Sequence, residues 1–170
     1  AVEITQSKRV AVLATSATFQ GELFASVVER FAQGVEVIQI VLPGLVERIE
    51  IGDVAGDETR KILQERLDDL RDQQVDTLVL ACTHYAFVIP IVERILGPGV
   101  RVIDPAPAIA RQTGRLLQTR RLAADADTAG RVRYLTSGDP LAFRSAVLRL
   151  IGEEATVEAA RWNGDALELV

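Results

Sequence analysis

Residues 77–85 read TLVLACTHY, and this stretch decides the fold. Its first five residues are apolar or β-branched with no polar alternation, the pattern of a short strand buried on both faces. The run then stops at a small polar turn that holds the only cysteine and the only histidine of the chain, Cys82 and His84. Working outward, residues 9–14 (RVAVLA) form a second such run, ending in the small, polar residues 15–21 before an amphipathic helix expected over 23–33. A third run at 35–42 is stopped by Pro43-Gly44, and a fourth at 100–103 ends in Asp104-Pro105. Between them the spacing predicts a short helix over 45–51, a long charged helix over 57–73, a helix over 90–96 and another over 106–118. Strand–helix repetition of this kind indicates an α/β fold: a doubly wound, mostly parallel sheet with helices on both faces.

Residues 120–130 (RRLAADADTAG) break the alternation and read as a linker. Beyond it the pattern gives a strand at 132–135, a turn at 136–140, a helix over 141–151 and a strand at 157–162. That is too little to form its own core. The expected organisation is therefore an α/β lobe over 1–119, the linker, and a segment over 131–170 that packs on something else. Alone, such a chain is expected to self-associate or to have a mobile C-terminus.

Composition narrows the function. With 48% hydrophobic and 25% charged residues among 170, the chain belongs with globular proteins rather than disordered ones. No apolar run approaches the roughly 18–20 residues of a membrane span, and no basic-then-apolar leader is visible. A net charge of −5 argues against nucleic acid, particularly since the arginines are scattered; only two of the 19 basic residues are lysines, Lys8 and Lys61. One cysteine excludes an intramolecular disulfide and a Cys-rich metal site. The expectation is a cytoplasmic protein without cofactor or metal. The complete lack of methionine points to a piece of a longer chain.

Sites in open parallel sheets form at the carboxyl ends of the strands, so three loops matter: residues 15–18, 82–85 and 104–105. At the end of its strand, Cys82 meets backbone N–H groups and a nearby imidazole that favour its thiolate, and His84 is placed to share or relay its proton. The plain alternative is an inert buried cysteine beside an incidental histidine. Thr15 and Thr18 read either as capping residues of the next helix or as hydroxyl groups that bind a small anion. Glu47 and Glu50 are most simply a solvated helix face, and Asp104 a turn residue that starts the next helix. A Cys-His hydrolase would need a third residue and an oxyanion hole that the sequence does not supply.

LVLACTHY (78–85) resembles the second catalytic-cysteine motif of bacterial glutamate racemases, in the aspartate/glutamate racemase superfamily. Residues 10–18 (VAVLATSAT), 42–52 (LPGLVERIEIG), 102–110 (VIDPAPAIA) and 133–138 (RYLTSG) resemble further segments of that family, in its order. The resemblance implies inversion of free glutamate at Cα without pyridoxal phosphate, by two thiols on opposite sides of the carbon, to supply D-glutamate for peptidoglycan. It implies Cys82 as one acid/base thiol, His84 as its proton partner, Glu50 as support, and Thr83, Thr15 and Thr18 as substrate-binding residues. The full-length enzyme is expected to be a homodimer with a small-molecule substrate.

The family's first lobe carries an Asp-Ser-Gly motif and an Ala-Cys-Asn-Thr motif with the opposite thiol, and neither is found here. The chain thus resembles the second lobe plus a C-terminal segment, expected to be catalytically incomplete by itself. Smaller departures are Ala86 in place of proline, Ser16-Ala17 in the threonine loop and Leu42 in place of cysteine. A sister aspartate or hydantoin racemase, or a non-catalytic remnant that binds a small acid or a partner protein, are the alternatives.

Overall fold

The four apolar runs of the first 119 residues line up side by side. In the computed structural model, which describes residues 1–125 and 129–170, they form β1 (Arg9–Leu13), β2 (Glu36–Ile40), β3 (Thr77–Leu80) and β4 (Arg101–Ile103). The sheet order is β2-β1-β3-β4 and every neighbouring pair is parallel. Register places Ala11 opposite Ile38 and Leu78, and Leu13 opposite Ile40 and Leu80, so these side chains share one face. Helices α3 (Leu45–Glu50), α4 (Asp57–Leu67) and α6 (Ile89–Leu96) cover it, burying Leu45, Ile49, Leu63, Leu67, Val92 and Leu96. This is the main core.

Chirality sets the layers. The step from β1 to β2 runs one way along the sheet, while those from β2 to β3 and β3 to β4 run the other. With right-handed crossovers, the helices between β1 and β2 lie opposite α4 and α6. Two helices make that first crossover: residues 15–21, expected as a turn, contain α1 (Ser16–Gln20), and α2 (Glu22–Phe31) follows after Gly21. The long helix expected over 57–73 is interrupted at Asp68, between α4 and α5 (Asp69–Asp72). Asp68 keeps helical dihedrals (φ −60°, ψ −38°) and its N–H still donates to Gln64 O (3.1 Å), so the chain runs on without a change of direction. Helix α7 (Ala106–Thr119) follows β4.

The first residues of the chain are tied to the start of β3 by one carboxylate. Asp76 accepts hydrogen bonds from the Thr5 hydroxyl (2.6 Å), the backbone N–H groups of Gln6 (2.6 Å) and Ser7 (2.8 Å), and the Thr77 hydroxyl (3.0 Å). Partial burial alone would raise its pKa, but these four donors outweigh that and hold the carboxyl far below the usual range.

The linker expected over 120–130 includes residues 126–128, which lie outside the described residues. Past it come β5 (Tyr134–Thr136), α8 (Pro140–Ile151), β6 (Val157–Asn163) and β7 (Ala166–Leu169). They form a second sheet, β5-β6-β7, with β5 and β6 parallel and β6 and β7 antiparallel. The sequence reading gives one last strand; the structure has a hairpin. Its turn holds Gly164 at φ +60°, a conformation glycine adopts without strain. Among the described residues from 134 onward only Val147, Ala155 and Ala160 are buried, and all of β7 is exposed.

Candidate active site

Cys82 follows the last residues of β3 in extended conformation (φ −141°, ψ 137°) and caps a 3₁₀ segment, Thr83–Val88. The Ala81 N–H still donates to Leu13 O (2.8 Å), so the strand is laced to β1 up to the cysteine. The tight turn that begins at Thr83, with the Tyr85 N–H donating to Cys82 O (3.1 Å), swings the His84 ring back over the thiol. Cys82 Sγ lies 3.8 Å from His84 Nδ1. On the far side of the ring, His84 Nε2 lies 3.2 Å from Glu50 Oε1 at the C-terminal end of α3.

The three groups form a line: thiol, imidazole, carboxylate. An ionised Glu50 only accepts, so it fixes the proton of a neutral imidazole on Nε2 and leaves the Nδ1 lone pair facing the thiol. That geometry can pass a proton from the Cys82 thiol to Nδ1. An imidazolium at the same place can pass one back. Neither His84 nor Glu50 is deeply buried, with side chains 31% and 60% exposed, so the line opens to solvent on one side.

A cavity of about 340 Å³ adjoins the thiol, walled by Cys82, Thr83 and Ala86 from the β3 turn and by Asp104, Pro105 and Ile109 from the β4 turn. Asp104 also opens α7, accepting from the Ala106 N–H (2.9 Å), as its turn reading expects. A second cavity of about 180 Å³ lies nearby, lined among others by Thr15, Ser16, Pro43, Glu47 and Tyr85. Tyr85 is 1% exposed. Burial, reinforced by the adjacent Cys82 and Glu47, pushes its hydroxyl up to about 12.

Each expected residue therefore has a definite place. Cys82, His84 and Glu50 are brought into contact, and Thr83 shares the cavity of Cys82. Thr15 and Thr18 pair with each other, hydroxyl to hydroxyl at 3.0 Å, and Thr15 borders the second cavity. Thr15 sits at the N-cap of α1 without a side-chain capping bond, so its hydroxyl is turned to Thr18 instead. Tyr85 and Glu47 were not singled out by sequence as site residues. The signal for Tyr85 is its position directly after His84; Glu47 offers none. Among the described residues no group of three or more His, Cys, Asp or Glu side chains is arranged to hold a metal ion, and no helix is long and apolar enough to cross a membrane.

Comparison with known proteins gives the family of the chain. The family described as Asp/Glu/Hydantoin racemase matches residues 2–113. The chain is 41% identical over 157 residues to the glutamate racemase of Pseudomonas paraeruginosa, covering 92% of this chain and 59% of that protein. It is 40% identical over 147 residues to that of Roseiflexus sp., with 86% and 54% covered. Among solved structures, glutamate racemase from Francisella tularensis in complex with D-glutamate superposes with a TM-score of 0.79 at 26% identity, over 93% of this chain and 59% of that one. A glutamate racemase isoform from Bacillus anthracis gives a TM-score of 0.81 at 24% identity, over 94% and 59%, a likeness of fold alone. The chain spans a little over half the length of the relatives it matches.

Proposed function

The chain belongs to the Asp/Glu/Hydantoin racemase family, and from that premise we propose that Cys82 is one of two acid/base thiols of a cofactor-independent glutamate racemase. The observation that carries this reading is the line from Cys82 through His84 to Glu50 at the carboxyl end of β3. The solved relative that holds D-glutamate supports the substrate.

In one direction the Cys82 thiol passes its proton to His84 Nδ1, and the thiolate removes the α-proton of glutamate. The electron pair of the broken C–H bond stays on the substrate as a carbanion, spread into the α-carboxylate. A second thiol on the opposite side then delivers a proton to Cα, so one proton leaves, one arrives, and the configuration inverts. The Cα–H bond is a weak acid. Catalysis therefore rests on donors that are already in place and on excluding water. Thr83 offers its hydroxyl and backbone to the substrate, and the Thr15–Thr18 hydroxyl pair offers a site for a carboxylate. The opposite thiol has to come from outside these 170 residues, since Cys82 is their only cysteine.

The wider reading follows from the same premise. Residues 1–119 form one lobe, 120–130 a linker, and 131–170 a segment that completes a first lobe; the full enzyme is a homodimer of the cytoplasm supplying D-glutamate for peptidoglycan. In the complete enzyme, Cys82→Ala is expected to abolish racemisation and the incorporation of solvent deuterium at Cα of glutamate through this thiol. Substantial residual turnover would overturn the assignment. The 170-residue chain alone is expected not to racemise glutamate.

A second reading has its own support: Leu141, Leu148 and Ile151 of α8 are exposed apolar residues, suited to a module that binds a partner or a small acid without turnover. Calorimetric titration of the isolated chain with D-glutamate, alongside the deuterium assay on the complete enzyme, separates the two.

A further inference from the structure

Two distant parts of the chain meet beside Glu50. The first is the loop over residues 51–56, between α3 and α4, which is knotted by Asp53. Its carboxylate accepts from Arg48 Nη2 (2.6 Å), Arg48 Nε (3.0 Å) and the Gly56 N–H (2.8 Å), and its carbonyl accepts from the Thr59 hydroxyl (2.6 Å). The Gly52 N–H donates to Ile49 O (2.8 Å), closing the end of α3. The second part is the last turn of α8. There Arg149 lies across Gly52 so closely that a Cβ on the glycine would meet Nε at 2.8 Å and Cδ at 2.9 Å. The next residue, Leu150, packs against the main core of the lobe. Gly52 has φ +86° and no side chain, and both properties permit this approach.

We propose that Arg149 is a positioning residue for the Cys82–His84–Glu50 line, acting through Gly52 on the end of α3; this rests on the catalytic reading of that line given above. Glu50 needs such support. It is the last residue of a six-residue helix, its side chain is 60% exposed, and helix ends fray. A long flexible side chain loses rotamer entropy when held at one hydrogen-bonding partner. The Asp53 knot stiffens the loop from within, and Arg149 clamps it from outside. The contact is made by the aliphatic stem and Nε rather than by an ion pair to Glu50, so the effect on Cys82 travels through placement. Docking of the C-terminal segment is thereby communicated to the thiol, by way of Gly52, Glu50 and His84.

Because the chain has one cysteine and one histidine, both ends of the line can be read without ambiguity. The test is the rate of Cys82 alkylation by iodoacetamide at one near-neutral pH, with the ring ¹⁵N shifts of His84, for the native chain, Arg149→Ala, Glu50→Gln and the double variant. Circular dichroism checks each fold. Arg149→Ala is expected to slow alkylation roughly threefold, the scale of coupling between neighbouring residues, and to move the His84 nitrogens in the same sense as Glu50→Gln. In the Glu50→Gln background it should add nothing. Arg149→Lys, which retains the stem, should restore the native rate, and Gly52→Ala should reproduce the loss. Equal slowing by Arg149→Ala with and without Glu50 would mean a remote charge effect and would overturn the proposal. So would a native rate in Arg149→Ala beside a slowed Glu50→Gln, which leaves the catalytic line standing. No effect of Glu50→Gln itself would remove the line, and this proposal with it.

Discussion

Helices α6 and α2 flank the same parallel sheet and carry the same kind of apolar stripe, yet their fates differ. Helix α6 buries Ile91, Val92 and Leu96 in the main core. Helix α2 has no buried residue: Leu23 is 77% exposed and Phe31 59%. Helix α7 is like α2, with Ile109 62% exposed. Amphipathic spacing shows that a stripe needs cover; whether cover arrives depends on what the rest of the chain places over it. Helix α6 packs against α4, β4 and the 3₁₀ segment Thr83–Val88, so its stripe is closed from several sides. The stripes of α2 and α7 are left exposed, with no buried residue on either helix.

The contrast sets a ranking of effects that experiment can break. The largest should come from the covered face. Leu78→Ala removes a fully buried side chain between Ala11 and Val102 in the sheet, and the expected loss is about 3 kcal/mol in denaturant unfolding. A loss under about 1 kcal/mol would mean that this core is loosely packed.

Asp76→Asn comes next, since it weakens the clasp that binds the first residues of the chain to β3. The carboxyl is held low in the folded protein, so its stabilising effect is present above the ordinary aspartate range and is lost as the pH falls below it. The variant is expected to lose roughly 1–2 kcal/mol near neutrality, after allowance for partial exposure, and to show a flatter acid limb than the native chain. Thermal unfolding across pH 2–7 reads both.

The smallest effect belongs to the bare face. Leu23→Ser should change stability by no more than about 0.5 kcal/mol. A cost near that of Leu78→Ala would show that the α2 stripe is covered in solution, and the contrast between the two faces would fail.

Much of this was legible in the chain itself, for reasons that differ by element. The runs at 9–14 and 77–81 could only be buried strands, because neither offers a polar side to water. The break between α1 and α2 was not legible. Residues 15–21 are small and polar enough for a turn, and only the packing of the following helix turns them into one more. The β7 strand was missed because ALEL carries no buried face to reveal it, although the Asn163-Gly164 pair before it is a hairpin signal. In the site, Cys82, Thr83 and His84 were legible because they adjoin one another at the end of a strand. Glu50 was reached only through family resemblance, because two glutamates on a short charged helix have the pattern of a solvated face.

Local pattern thus determined the four strands of the first sheet, their parallel layering and the position of the thiol, since each depends on how a few neighbouring residues divide between water and core. Tertiary structure decided the rest. It set Glu50 at 3.2 Å from a histidine 34 residues away, laid Arg149 across Gly52, and left the stripes of α2 and α7 open. Those outcomes depend on the distance between elements, and a contact made across the fold has no period along the chain by which to announce itself.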